Sequence, residues 1–212
     1  MKRSLLTIAL CALSACGGFE NEPFKVGVVR GQLGGTVDAT ALVAVVGRED
    51  LVTRPDAMGR FELRNVPIGP VDLLVITNLR ESQRLSVTVG GASIVELGAL
   101  TPRPSGKFEI YLSAEGGHAL TNATVSLVGT PFTSGVSAFE NEAEFFVPAG
   151  CYDARVVVRG LGESTVQGCV AEGGLFERRV NFGLPDGTEG REGCAVTGCE
   201  DGLTCQTDRS CR

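Results

Sequence analysis

The chain has 212 residues, enough for one or two domains at the usual size of about 100–200 residues each. Hydrophobic residues make up 43% and charged residues 21%, an ordinary balance for a folded protein, which excludes wholesale disorder. The formal net charge of −6 at pH 7 disfavours nucleic acid as a partner, because phosphates attract basic surfaces. His118 is the one histidine, which excludes histidine-rich metal sites.

The first residues have the pattern of an export signal. Lys2 and Arg3 form a short positive segment, and an apolar run from Leu5 to Leu13 follows. That run is shorter than the ~20 residues that a membrane-spanning helix needs. No later stretch is apolar over such a length. We therefore expect an exported protein that is anchored to a membrane and does not span it.

The motif around Cys16 predicts how the protein is anchored. The residues Leu13-Ser14-Ala15-Cys16-Gly17 resemble the lipobox of bacterial lipoproteins. This resemblance implies cleavage after Ala15 and attachment of acyl chains, such as palmitate, to Cys16. Gly17 stands where an aspartate would signal inner-membrane retention, so the resemblance implies the outer membrane of a Gram-negative cell. An ordinary secretory signal that happens to contain Cys16 is the alternative.

Cysteine usage favours the same oxidising compartment. Of eight cysteines, Cys11 lies in the signal and Cys16 in the lipobox. The even number that remains is expected to form disulfides. The last four follow the spacing C-x4-C-x5-C-x5-C without a nearby histidine, so zinc is the weaker alternative. The disulfide candidates are Cys151, Cys169, Cys194, Cys199, Cys205 and Cys211.

Two sequence motifs occur twice. The segment 40–47 aligns with 122–129, and the segment 66–72 aligns with 147–153. The offsets are 82 and 81 positions, so the two copies form a tandem pair of units of about 80 residues each. The chain is therefore expected to contain two domains of the same kind.

Within each unit the hydrophobic pattern alternates with a period of two. Short apolar runs are separated by Gly, Pro, Asp and Asn, which is typical of strands in a sandwich. The sequence therefore predicts an all-β chain of two tandem antiparallel β-sandwiches. The predicted strands are 24–29, 42–46, 61–63, 71–76, 85–89 and 94–97, then 108–112, 125–128, 143–147, 154–158, 165–170 and 176–182.

The first unit contains a recognisable signature. The segment from Asp56 to Gly69 resembles the carboxypeptidase regulatory-like domain, a transthyretin-like (prealbumin-like) β-sandwich. Asp56 and Gly59 suit a tight turn, after which Phe61 and Leu63 alternate into a core. The second unit lacks this Asp-x-x-Gly turn, so its membership rests on the repeat alone.

Cys151 and Cys169 are predicted to pair with each other. If their strands form a hairpin about the Gly160-Leu161-Gly162 turn, the two cysteines lie close to its open end. Closing that loop would stabilise the fold by roughly 3 kcal/mol. Two separate thiols are the alternative.

These observations divide the chain into six segments. They are a lipoprotein signal peptide (1–15), a lipidated tether (16–23), a carboxypeptidase regulatory-like sandwich (24–103), a divergent second sandwich (104–185), a linker (186–193) and a Cys-rich tail (194–212). The tail is too short for a hydrophobic core, so two disulfides would have to hold it together.

The sequence contains no catalytic or cofactor signature. Nucleophile elbows, zinc-binding helix motifs and phosphate-binding loops are all missing, so we expect neither enzyme activity nor a cofactor. Glu142 and Glu144 share a strand face, for which solvation is the simplest explanation. We expect a non-catalytic envelope lipoprotein that acts as a structural or protein-interaction module.

Glycan binding is the alternative function. The chain has no Trp and two Tyr, which disfavours stacking on sugar rings. Calcium is a minor option at Asp38, Asp50 and Asp56, where turn formation explains the carboxylates better.

Overall fold

The structure, a computed structural model, describes residues 25–115, 120, 122–136 and 141–183. Over those ranges the chain forms fifteen β-strands and no α-helix, which confirms the all-β prediction. No helix long and apolar enough to cross a membrane occurs in the part of the chain that the structure describes.

The first sandwich is formed by eight strands in two sheets. One sheet has the order β4-β1-β7 and the other the order β3-β2-β5-β6-β8. Val29, Val43, Phe61 and Leu73 lie in the core between them and are at most 5% exposed. The strands are β1 (Val26–Leu33), β2 (Leu42–Val45), β3 (Arg48–Thr53), β4 (Arg60–Pro67), β5 (Gly69–Asn78), β6 (Glu81–Val89), β7 (Ile94–Leu100) and β8 (Arg103–Pro104).

The second sandwich repeats this architecture. Its sheets have the orders β12-β9-β15 and β11-β10-β13-β14, with Phe108, Ile110, Val125 and Ala154 fully buried between them. The strands are β9 (Gly106–Ala114), β10 (Ala123–Leu127), β11 (Thr133–Val136), β12 (Glu142–Val147), β13 (Gly150–Val158), β14 (Gly162–Val170) and β15 (Leu175–Phe182).

The two sandwiches have the same topology, which confirms the tandem prediction. In each, the first strand pairs antiparallel with the fourth and parallel with the seventh, so each three-stranded sheet contains one parallel pair. An individual hydrogen bond is repeated as well. The amide of Val46 donates to the carbonyl of Asp72 at 2.9 Å, and Val128 donates to Asp153 at 2.8 Å.

The predicted turn at Asp56 is present. One carboxylate oxygen of Asp56 accepts the backbone amides of Met58 and Arg60, each at 2.9 Å. Gly59 has a φ of 77°, a left-handed conformation that glycine adopts without steric cost. Phe61 then enters the core, as its alternation in sequence predicts.

A short connection fixes the two sandwiches to each other. β8 pairs with the start of β6, so the end of the first unit is held as an edge strand, and β9 begins two residues later. Ser105 donates its amide to the carbonyl of Arg80 at 2.8 Å. The predicted boundary between 103 and 104 falls within β8. The connection is therefore hydrogen-bonded along its length.

Leu74 joins the two hydrophobic cores. Its neighbour Leu73 faces the core of the first sandwich, whereas Leu74 points to the opposite face of β5 and is fully buried with the core residues of the second sandwich. Val46 packs against that same core. Beside it, the amide of Gly47 donates to the carbonyl of Gly129 at 2.8 Å. The outer face of one sheet thus covers one end of the next sandwich.

Gly27 and Gly106 occupy equivalent positions at the start of β1 and β9. A Cβ at Gly27 would lie 2.8 Å from the carbonyl oxygen of Gly90, and one at Gly106 would lie 2.7 Å from that of Ala171. Backbone atoms cannot move aside cheaply at such distances. Only glycine therefore fits where each first strand passes the other sheet.

Replacing Gly106 should destabilise the second sandwich by overpacking. For Gly106→Ala we expect the free energy of unfolding to fall by about 1–3 kcal/mol in urea denaturation. Gly135→Ala is the matched control, because Gly135 also lies in a strand and has nothing within 4 Å of its Cβ position. Equal stability of the two variants would contradict the close approach at Gly106.

Candidate interaction surfaces

The predicted lipidation site and most predicted disulfide residues lie outside the described residues. These are Cys16 and the tail cysteines Cys194, Cys199, Cys205 and Cys211. The same holds for His118. The lipidation of Cys16 and the disulfides of the tail therefore stay predictions.

The structure contains the disulfide between Cys151 and Cys169. The two cysteines are direct partners in the antiparallel register of β13 and β14, and both are exposed on the outer face of that hairpin. The pairing is centred on Gly160, one residue before the centre that the sequence suggested, because Val158 pairs with Gly162. The bond ties together the open end of a hairpin whose two strands have nine residues each.

Charged side chains line the outer face of the sheet β4-β1-β7. Arg30 lies between Glu62 and Glu96 in the register, and we call these three residues the first charged row. The Nε of Arg30 is 2.6 Å from Glu62, and its Nη1 is 3.7 Å from Glu96. Arg64 also pairs with Glu62. Hydrogen bonds from Arg30, and then from Arg64, hold the pKa of Glu62 below its usual value.

The equivalent face of the second sandwich carries three glutamates side by side. Glu109 on β9 lies between Glu144 on β12 and Glu177 on β15, and we call these the second charged row. Lys107, two residues before Glu109 on the same face of β9, contacts Glu109 and lies 2.5 Å from Glu144. Hydrogen bonds with Glu109, and then with Glu144, raise the pKa of Lys107.

Tyr111 lies next to the second charged row. Its hydroxyl is 3.4 Å from Glu109, and the guanidinium of Arg179 is 5.6 Å from its ring centroid. The pKa of Tyr111 is raised first by burial and then by the negative charges of Glu109 and Glu142, with a smaller effect of Glu177. Tyr111 therefore lies among carboxylates, with the guanidinium of Arg179 over its ring.

The sequence indicated only part of this arrangement. Glu142 and Glu144 do lie on one face of β12, as their spacing predicted, and both are exposed. Glu109 and Glu177 were not singled out, because their place beside Glu144 depends on strand register. Aligning Gly27-Val28-Val29-Arg30 with Gly106-Lys107-Phe108-Glu109 would have revealed the exchange of Arg30 for Glu109.

The tyrosines offer little surface for stacking on a sugar. Tyr152 is 6% exposed, its hydroxyl donates to the carbonyl of Pro148 at 2.7 Å, and Phe108 meets its ring edge-on. Tyr111 is only partly exposed, beside Arg179. Both rings are thus engaged within the second sandwich.

The aspartates considered for calcium form local turn contacts. Asp38 accepts the amide and the hydroxyl of Thr40, at 2.7 and 2.5 Å. Asp50 pairs with Arg48, and Asp56 caps its own turn. Across the described ranges, no group of three or more His, Cys, Asp or Glu side chains is arranged to hold a metal ion.

The comparisons with known proteins concern the fold alone. No family model and no curated protein matches the sequence. Three solved structures align with this chain at TM-scores of 0.35, 0.32 and 0.28: the Bacillus anthracis TIE protein (19% identity), the minor pilin of the Gram-positive pathogen Streptococcus agalactiae (8%) and a DUF3823 family protein from Bacteroides ovatus (13%).

The fraction of each protein that aligns with this chain differs among the three. The matches cover 75%, 75% and 69% of this chain, and 34%, 97% and 96% of the three proteins, respectively. This chain thus spans about a third of the length of the Bacillus anthracis protein. At these identities and TM-scores no function is inferred from the likeness.

Removing the disulfide should weaken the second sandwich. For the double variant Cys151→Ser/Cys169→Ser we expect the free energy of unfolding in urea to fall by roughly 3 kcal/mol. Asp153→Ser/Gln167→Ser, an exposed pair in the same hairpin, is the matched control and should change stability by less than about 1 kcal/mol. A double cysteine variant as stable as this control would show that the bond contributes nothing.

Alkaline pH should destabilise the fold through Tyr152. Burial raises the pKa of Tyr152 to about 12, against an ordinary value of 10.0. Because the folded state disfavours the phenolate, the neutral Tyr152 side chain contributes to stability in full below pH 10. That contribution is lost as the pH rises toward 12. Phenolate absorbance at 295 nm should show a late ionisation step that Tyr152→Phe removes. Tyr111→Phe is the control, since the pKa of Tyr111 is raised as well; a step near pH 12 that survives in Tyr152→Phe and is lost in Tyr111→Phe would refute this assignment.

Proposed function

We propose that this chain is a non-catalytic structural and protein-interaction module, exported and held at the outer membrane by lipid on Cys16. The observation that carries this proposal is the contact between the two sandwiches at Leu74 and β8, which we call the joint. Leu74 is buried with the second core, and β8 closes the connection with hydrogen bonds. A two-sandwich unit that is stiff at its joint suits a spacer that presents its sheet faces in a fixed orientation.

The surface chemistry supports an interaction role over catalysis. Acid–base or nucleophilic catalysis needs an activated group beside a pocket that excludes water. The first charged row is a ladder of ion pairs on an open sheet face, where Arg30 and Glu62 line a shallow depression of about 520 Å³. The second row is likewise on an outer face. Open, charged faces of this kind suit contact with another macromolecule.

The motifs in sequence support the location and the domain plan. The lipobox-like residues around Cys16 support a lipid anchor on that cysteine, and the Asp56 turn supports a carboxypeptidase regulatory-like domain over 24–103. The second sandwich at 104–185, the linker at 186–193 and the Cys-rich tail at 194–212 complete this plan. An envelope protein is the partner that this plan implies.

Substitution of Cys16 should release the protein from membranes. For Cys16→Ala we expect loss of palmitate labelling and a shift from the membrane fraction to the soluble fraction, because the acyl chains provide the anchor. Cys11→Ala is the matched control. Since Cys11 lies in the signal, this variant should be labelled with palmitate as strongly as the wild-type protein. Cys16→Ala protein that stays in the membrane fraction would overturn the anchor.

The interaction role is tested separately. Chemical cross-linking in intact cells, followed by detergent extraction and mass spectrometry, should recover one reproducible protein partner with the wild-type chain. Recovery of lipid alone, with no protein attached, would overturn the interaction role and leave the anchor unaffected.

A further inference from the structure

Each sandwich has one end where its first strand begins beside two chain connections. In the first sandwich the amide of Ile68 donates to the carbonyl of Lys25 at 3.2 Å, and the amide of Ala92 donates to the carbonyl of Val26 at 2.9 Å. Both connections are thus hydrogen-bonded to the start of β1. The segments that form this end are 25–29, 64–71 and 88–95, and we call them the β1 end.

In the second sandwich, the first sandwich covers the equivalent end. Pro148, at the position of Pro67, is buried, and it lines a cleft together with Arg84 of the first sandwich. A Cβ at Gly150 would lie 3.4 Å from the guanidinium of Arg84. The repeat therefore shows that this end of the fold serves as a contact surface.

The β1 end exposes apolar side chains. Ile68 and Ile94 are each 52% exposed. Val26 and Val28 are half-buried on the outer face of β1, where Val28 is the register partner of Ile94 and Val26 pairs with Pro67, next to Ile68. These four side chains therefore lie on neighbouring segments, and we call Val26, Val28, Ile68 and Ile94 the apolar strip.

This strip belongs to the first copy. In the second copy, Ser105 and Lys107 stand at the positions of Val26 and Val28, and Lys107 forms ion pairs with two glutamates. Ala149 stands at the position of Ile68. The end that contacts protein is thus smaller or more polar at these three positions, so we expect a different occupant at the β1 end.

The charges of the β1 end suit an anionic partner. Its three segments contain Lys25 and Arg64 and no acidic residue, although the whole chain has a net charge of −6. Lys25 is exposed, and the side chain of Arg64 is 76% exposed. Glu62, two residues before Arg64, is already paired with both Arg30 and Arg64. A surface that is apolar and basic binds at the boundary between headgroups and acyl chains, where anionic lipids attract the cations.

We propose that the β1 end lies against the membrane that holds Cys16, with the apolar strip at the level of the headgroups and with Lys25 and Arg64 beside lipid phosphates. The proposal rests on the lipid anchor of the proposed function. Residues 16–25 precede Val26, and ten extended residues span at most about 36 Å, so β1 begins within that distance of the anchored cysteine. Through the stiff joint, this contact would hold the second sandwich at one angle to the membrane.

The distance to the anchor favours the bilayer over a second copy of the chain. A sandwich of about 80 residues has a radius of gyration of about 12 Å and is roughly 30 Å across. Such a body would fit between the β1 end and the bilayer only if residues 16–25 were almost fully extended. The bilayer itself is within reach at every shorter extension.

The test uses tryptophan as a depth probe, because the chain contains no Trp. Ile68→Trp and Ile94→Trp are each purified from membranes with the lipid anchor and reconstituted into vesicles of phosphatidylethanolamine and phosphatidylglycerol. We expect lipids brominated near the headgroup to quench both emissions, since interfacial side chains enter the bilayer by about 5–10 Å. Leu79→Trp is the matched control, because Leu79 is 49% exposed at the opposite end of β5, and its emission should not be quenched.

The contribution of charge is measured in the Ile68→Trp background. Arg64→Gln should lower the ratio of quenched to unquenched protein about fivefold, because one basic side chain is removed from an anionic surface. Arg80→Gln is the matched control, since Arg80 is exposed beside Leu79, and it should leave the ratio unchanged.

Flotation of the vesicles separates this proposal from the anchor. Protein that floats, but in which Ile68→Trp and Ile94→Trp are quenched no more than Leu79→Trp, would overturn the membrane contact and leave the anchor unaffected. Protein that does not float would overturn both. Emission that shifts to the blue as the protein density on the vesicles rises, without quenching by bromine, would assign a second copy to the β1 end and overturn the proposal.

Discussion

The burial of Leu74 in the second sandwich is the contact on which the arrangement of the protein depends. β5 is unusual in being covered on both faces, with Leu73 in one core and Leu74 in the other. A strand covered on both sides reads as a continuous apolar run, as 73–76 does. Exposing Leu74 would cost the free energy of about one fully buried leucine, roughly 2 kcal/mol. The hydrogen-bonded connection through β8 and the contact between Gly47 and Gly129 then restrict rotation about this point.

The internal repeat shows how one backbone accommodates two sets of side chains. Gly31 faces Phe61 across β1 and β4, whereas Ile110 faces Ala143 at the equivalent pair. A Cβ at Gly31 would lie 2.9 Å from the Phe61 ring, so the large residue has moved from one strand to the other. Such a volume-conserving exchange keeps the core filled. The exchange of Arg30 for Glu109 is accompanied by a shift of the positive charge, because Lys107, at the position of Val28, contacts Glu109 and Glu144.

Several features of the fold could be predicted from the sequence because they are local. The period of two, the repeated motifs and the Asp56–Gly59 turn each depend on neighbouring residues, and the structure confirms them. β3, β8 and β11 were not predicted. They are short edge strands with few apolar residues, and tertiary pairing determines them more than intrinsic preference does. The second charged row was missed for a related reason, because register joins Glu109 to Glu144 and Glu177 over long separations in sequence. The joint at Leu74 could not be predicted either. The apolar run 73–76 indicates that both faces of β5 are covered, but it does not indicate that the second sandwich covers one of them.

Residual dipolar couplings measure whether the joint between the two sandwiches is stiff. Backbone amide couplings of the weakly aligned protein would be fitted separately for residues 26–104 and 106–182. We expect both sandwiches to give the same alignment tensor, in magnitude and in orientation, when each is fitted to this structure. Tensors of different magnitude would show that the sandwiches reorient independently, which would contradict the buried contact at Leu74 and the spacer function built on it.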